Sequence, residues 1–142
     1  MLKNKIKKSH IIRIGAIAMI TLFVFVGYLI HKHNVAKKEA LLSQIAPMNK
    51  HTPRMIAEGM RFEGARIESE QIYYDITLIN ALRSDIEVDS FSAKLKQAIK
   101  KSVCDNDSIQ ELLSKTNFFY VYKDKNQEPV VTLEFTQDDC KK

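Results

Sequence analysis

Cys104 and Cys140 are the side chains best suited to covalent chemistry in this sequence, and three kinds of chemistry compete for them. They could form a disulfide, help to hold a metal ion, or supply a nucleophile. A zinc site would need His or carboxylate partners at short spacing, and each cysteine stands alone. A catalytic thiol needs a base within reach, and the only histidine in the same region of the chain is His51. A disulfide needs only the two cysteines and an oxidising compartment, and it is the reading the sequence favours. The carboxylate pairs Glu68/Glu70 and Asp138/Asp139 would need a cleft to become an acid and a base. Nothing in the sequence indicates one. G-x-S-x-G, H-E-x-x-H, phosphate-loop and G-x-G-x-x-G patterns are all missing. The expectation is a protein that is not an enzyme, with no catalytic residues, no metal site and no cofactor.

An oxidising compartment is itself implied by the N-terminus. Ile14 to Ile30 form a run of 17 residues without a charge. At about 1.5 Å per helical residue, this run nearly crosses a hydrocarbon core of roughly 30 Å. Lys3, Lys5, Lys7, Lys8 and Arg13 precede it, and only Lys32, Lys37 and Lys38 follow closely. That bias puts the N-terminus in the cytoplasm. A cleavable signal would show small residues at an A-x-A-like site after the apolar run. Here Tyr28-Leu29-Ile30-His31-Lys32-His33 follows, Ala36 is the first small residue, and Asn34 would sit third before the cut. No cysteine stands there for lipid modification. A single uncleaved membrane anchor is expected.

Charge divides the chain in the same place. Residues 1–38 hold eight of the 22 Lys/Arg and none of the 17 Asp/Glu, so residues 39–142 carry a net charge of −3. The basic character belongs to the anchor, where cations meet anionic head groups. The remainder has no positive field to attract nucleic acid, which is excluded as a partner. His31 and His33 read as part of a solvated rim beside the membrane rather than as metal ligands.

The elements that must position the cysteines follow from periodicity. Residues 31–46 continue the helix as a stalk, and Pro47 is expected to break it. Met48, Met55, Ile56 and Met60 suggest a short helix with an apolar side that packs in the core. From Arg61 the period becomes two. Phe62–Glu68 and Gln71–Asn80 read as strands joined by a turn at Ser69-Glu70. Ile72, Tyr74, Ile76 and Leu78 line one face of the second strand; Tyr73, Asp75 and Thr77 line the other. Residues 81–89 are loop-like. Phe91, Leu95, Ala98, Ile99 and Val103 then fall on one side of a helix capped by Asp89 or Ser90, with Lys94, Lys96, Lys100 and Lys101 on the solvated side. Cys104 ends that helix. Ser108-Ile109-Gln110-Glu111 fits a capping box and starts a second helix of about two turns. Phe118–Tyr122 is an aromatic strand, Asp124–Gln127 a turn, and Pro129 opens a last strand that runs to Phe135, just before Cys140.

The expected architecture is α+β in the order α-β-β-α-α-β-β. An N-terminal transmembrane helix precedes a four-stranded antiparallel sheet built from two hairpins, with helices on one face. The expected divisions are 1–13, a cytoplasmic tail; 14–30, the membrane span; 31–46, a stalk; and 47–142, the folded domain. About 95 residues bury a limited core, which gives a disulfide a clear role. The uncovered face of the sheet would carry Tyr73, Ile79, Phe119 and Val121. These four are the candidate partner-binding residues.

Several motifs fall in an order found in small Gram-negative envelope proteins. They are Asn49-Lys50-His51-Thr52-Pro53-Arg54-Met55, Ile72-Tyr73-Tyr74, Val103-Cys104, Tyr120-Val121-Tyr122-Lys123-Asp124 and Asp139-Cys140. This layout resembles the α/β class of pilotins, which escort the outer-membrane secretin of type II secretion systems. The resemblance covers about residues 47–140 and implies the fold and a disulfide between the two cysteines. The chain departs from pilotins in having no lipidation cysteine, so it would be held in the inner membrane with its domain in the periplasm. The implied function is a protein-binding module of the envelope, such as a secretion or assembly accessory. An immunity protein against a toxin that acts in the periplasm is the alternative.

Overall fold

The computed structural model describes residues 2–141, with side chains from Met19 onward; the side chains of the proposed cytoplasmic tail lie outside the described residues. Helix α1 spans Leu2–Asn49. The chain divides into two compact units, residues 1–39 and 40–142. In the first, the side chains from Met19 to Ile30 are exposed along the helix. Among the described residues, Met19–Asn49 is the one helix long and apolar enough to cross a membrane. A signal sequence has the same character.

The second unit begins inside the predicted stalk. Leu41 and Ile45 are 4% and 3% exposed and belong to the hydrophobic core, with Met48 packed against it. Pro47 does not break the helix, which runs two residues further to Asn49. Pro47 lies in the last turn, so the backbone bond it removes is one of few left to make there.

Asn49 then does the work of a strand. Its Nδ2 donates to the Ala65 carbonyl at 2.7 Å, and its Oδ1 accepts from the Ala65 N–H at 2.7 Å. Its own carbonyl accepts from the Thr52 hydroxyl at 3.0 Å. The opening motif of the resemblance is thus a clamp that ties the end of α1 to the sheet.

The expected Met-rich helix is not formed. Arg54–Ala57 is strand β1, and Met60 opens β2, which spans Met60–Glu68. The local signal for this hairpin is Glu58-Gly59. Gly59 takes φ +74°, a turn conformation open to glycine at no steric cost. Strand β3 spans Gln71–Leu78, and a 3-10 turn covers Arg83–Asp85. Helix α2 (Val88–Cys104) is capped by Glu87, whose carboxylate accepts from the N–H groups of Asp89 and Ser90. That start lies earlier than Asp89 or Ser90 would give. Helix α3 (Asp107–Leu113) is capped by Asn106, which accepts from the Ile109 N–H, rather than by Ser108. Strands β4 (Phe118–Lys123) and β5 (Pro129–Phe135) follow, and a 3-10 turn over Gln137–Cys140 ends the fold.

The sheet corrects the expected topology. It has five strands in the order β1-β2-β3-β4-β5, and β3 pairs with β4 in parallel. The physical reason lies in the crossover. At 1.5 Å per residue, the 17 residues of α2 return the chain to the end where β3 began. The seven residues of α3 are too few to carry it back again. Strand β4 therefore starts beside the start of β3 and runs with it, as helical crossovers require.

One face of this sheet is the core. Ile72 pairs with Phe118 and Phe118 with Phe135, and all three are 0% exposed. Leu95, Ile99 and Val103 of α2 and Leu113 of α3 join the same cluster. The predicted core face of β3 is the observed one; on α2, Leu95, Ile99 and Val103 are buried and Phe91 is half-buried, whereas Ala98, at the edge of that stripe, is exposed. Tyr74 stacks on Tyr120 with ring centroids 4.9 Å apart, and Tyr122 meets Phe91 edge-on at 5.8 Å. Burial pushes the phenols of Tyr74 and Tyr122 up to about 12 and that of Tyr120 still higher. The Tyr-x-Tyr motif is thus core packing.

The β2–β3 hairpin turns at Ser69-Glu70, as predicted, but with φ +48° and +63° on two residues that carry a Cβ. Such a turn prefers Asn-Gly. Glu70→Gly keeps the Glu70 carbonyl, which accepts the Thr116 hydroxyl at 2.6 Å. It is expected to raise stability by about 0.5–1 kcal/mol. Urea denaturation checks this, and a lower midpoint would contradict the strain assigned to the turn.

Candidate functional site

Strand alternation sends every second side chain to the face opposite the core. In the parallel β3–β4 pair, Tyr73 stands beside Phe119 and Asp75 beside Val121. The Tyr73 and Phe119 rings stack with centroids 4.7 Å apart and planes 14° from parallel. Arg66, opposite Tyr73 on β2, lays its guanidinium 4.6 Å from the Tyr73 ring centre. Its Nε donates to Asp75 at 2.8 Å, and its Nη1 contacts the Glu68 carboxylate as an ion pair. On the other flank, Phe119 faces Glu134 and Val121 faces Thr132. The result is a half-buried aromatic pair set among charged side chains, with Val121 beside it.

Three of the four candidate partner-binding residues therefore share one surface. Ile79 does not lie on this ladder. It follows the end of β3, and its N–H donates to the Gly59 carbonyl at 3.0 Å. Thr77, expected on the same outward face, is 2% exposed. The β4–β5 turn reaches it there, with Gln127 Nε2 3.3 Å from its hydroxyl. The buried helical residues Leu41, Ile45, Leu95, Ile99, Val103 and Leu113 all belong to the core cluster, on the face opposite Tyr73, Phe119 and Val121. Arg66 was not singled out from sequence. Its signal was the alternation of Arg66 and Glu68 with the core residues Ala65 and Ile67.

The two cysteines meet as expected. Cys104 and Cys140 form a disulfide with Cα atoms 5.4 Å apart, joining the end of α2 to the turn after β5. A second tie runs beside it, where Lys96 Nζ lies 3.2 Å from Asp139. Asp139 also accepts from the Thr136 N–H and hydroxyl, closing a capping box. Burial of this carboxylate opposes ionisation, but the Thr136 bonds and Lys96 outweigh it and hold the pKa below its ordinary value.

Asp124, which ends the Tyr-x-Tyr motif, is 1% exposed and serves the fold. Its Oδ1 accepts from the N–H groups of Asn126 and Glu128 at 2.8 and 2.9 Å, and its Oδ2 from that of Arg83 at 2.9 Å. It closes the β4–β5 turn and fastens it to the loop after β3. Desolvation raises its pKa, but the three backbone donors prevail and lower it. The stabilisation is therefore fully present above the unfolded carboxylate value and is lost as pH falls through the depressed folded one. No orientation of an amide can accept all three donors, so Asp124→Asn is expected to lower the melting temperature at neutral pH. The gap from wild type should narrow as pH falls below about 4. A gap that widened in acid would reverse this assignment.

Known proteins share this fold. A family profile described as "Putative quorum-sensing-regulated virulence factor" matches residues 32–141. A search of curated proteins returns no match. A "putative secreted protein" from Pseudomonas aeruginosa has a similar structure, with a TM-score of 0.66 at 21% identity over 75% of this chain and 95% of that one. The type 2 secretion pilotin of Vibrio vulnificus gives 0.59 at 6% identity, over 75% and 94%. The type II secretion pilotin of Vibrio cholerae gives 0.55 at 12% identity, over 75% and 97%. At such identities the likeness is one of fold, and three quarters of this chain share the fold of pilotins.

Proposed function

The chain belongs to the family described as "Putative quorum-sensing-regulated virulence factor", and on this premise we propose that it is a non-enzymatic envelope protein. In this reading an inner-membrane anchor with its N-terminus in the cytoplasm holds a pilotin-like domain in the periplasm. The domain acts as a secretion or envelope-assembly accessory by binding another envelope protein. The observation that carries the reading is the pilotin fold, with Tyr73, Phe119 and Val121 together on the sheet face opposite the core. An aromatic centre with a charged rim is the composition of a protein-binding surface.

The apolar side chains of Met19–Ile30 support the anchor, since they are exposed along the helix. Full-length protein in carbonate-washed membranes, retaining its own N-terminus, is the expected result. A soluble form that begins near Lys37 would instead make the segment a signal peptide. It would leave the core residues Leu41 and Ile45 in place. For the binding role, crosslinking in intact cells and purification from membranes should recover one specific envelope component. Recovery of a toxin would convert the reading to an immunity protein. Turnover of a small molecule by the purified domain would end it.

A further inference from the structure

The two edges of the sheet are not equally protected. Strand β5 opens with Pro129 and carries Thr132 and Glu134 on its outward face, two of the devices that blunt an edge. Strand β1 is the other edge, and all four of its residues are exposed. Met55 and Ile56 are 51% and 49% exposed, the largest values among the exposed large hydrophobic side chains of residues 40–142. An exposed strand edge with apolar side chains is a template for another strand.

The charges on this strand say which. Arg54 lies at its start and Glu58 just past its end. Neither makes an ion pair among the described residues; Arg54 has only the face of the Phe62 ring, 5.7 Å away. Residues 54 and 58 are placed symmetrically about Ile56. When the strand pairs antiparallel with a copy of itself centred on Ile56, Arg54 of one copy comes beside Glu58, the first turn residue, of the second, and the converse holds by symmetry. Met55 then stands opposite Ala57. An isologous contact of this kind must be self-complementary, and this sequence is. A parallel pairing would set like charges side by side.

We propose that β1 is a self-pairing edge through which two copies of this chain associate antiparallel, about a two-fold axis beside Ile56. The strand is short, and its pairing with β2 is irregular between Met55 and Ala57. The contact is therefore small beside the roughly 1,200–2,000 Å² of a stable complex. It forms and breaks readily, and it is best detected by crosslinking.

The full chain carrying Ile56→Cys, expressed in its own membrane, tests this directly, because residue 56 faces itself across the axis. A disulfide-linked homodimer should appear on a non-reducing gel. Lys100→Cys, on the exposed side of α2, serves as the collision control and should give far less. Adding Arg54→Glu or Glu58→Arg to the Ile56→Cys chain should cut the crosslink about tenfold, since each replaces two attractive cross-strand pairs by repulsive ones. Both changes together should restore it. Crosslinking no greater than the Lys100→Cys control overturns the proposal. So does insensitivity to the charge changes, or a link from residue 56 to a different protein.

Discussion

Replacing both Cys104 and Cys140 with serine is expected to cost the domain about 4 kcal/mol. The two cysteines lie 36 residues apart in sequence, and the chain-entropy account of such a loop gives that figure as an upper value. Domains of this size are stable by only about 5–15 kcal/mol, so the variant should be largely unfolded under conditions that leave wild type intact. The bond holds two segments with little other reason to stay together, the last turn of α2 and the four-residue turn after β5. The Lys96–Asp139 pair remains when the bond is removed, but Lys96 is half exposed and such pairs contribute little. Urea denaturation of the variant, beside wild type with and without reductant, measures the effect. Reduced wild type should follow the variant. A loss below about 1 kcal/mol would mean that the core alone holds α2 and β5 together.

The largest effect on binding is expected from Tyr73→Ser combined with Phe119→Ser. If the open face is the docking surface, its stacked pair is the anchor, and aromatic anchors at the centre of interfaces are worth about 2 kcal/mol or more each. Partner capture should then fall by well over about 30-fold, the loss expected of one anchor alone. Stability should change far less. Both side chains are half-buried rather than core, and their stacking is worth about 0.5–1.5 kcal/mol beyond burial. The single variants should lie between, with a coupling between them that the stacked geometry requires. Unchanged capture by the double variant would remove this face from the binding account. Phe118→Ala is the contrasting control. Phe118 is 0% exposed, and its loss should cost about 3–5 kcal/mol of stability.

Part of this protein is legible residue by residue. The uncharged run from Ile14 to Ile30 displays its apolar character to any reader of the chain. Strands β3 and β4 are long enough for period two to repeat, so their faces could be assigned without a partner strand, whereas the bulge between Phe62 and Gly64 breaks that alternation in β2. Helix α2 shows its buried side through Phe91, Leu95, Ile99 and Val103 in the same way. The pairing of Cys104 with Cys140 follows from there being no other cysteine to choose. All of these are properties of a single segment, or of a set with one member.

What the tertiary structure decided concerns segments that have no pattern of their own, or that depend on where the chain returns. Strand β1 has four residues, too few to show an alternation, and it forms because Glu58-Gly59 turns Arg54–Ala57 back along β2. The caps Glu87 and Asn106 won over Asp89, Ser90 and Ser108 because several polar residues stood close enough to compete, and local spacing alone does not rank them. Asp124 reads as an ordinary turn residue. Only the arrival of Arg83 from the loop after β3 gives it a third backbone donor. Most consequential is the parallel pairing of β3 with β4. Phe119 stands beside Tyr73 because α2 returns the chain once and α3 is too short to return it again, and that parity is a property of the whole path. Alternation could place Tyr73, Phe119 and Val121 outside the core; only the path of the crossover could put them side by side.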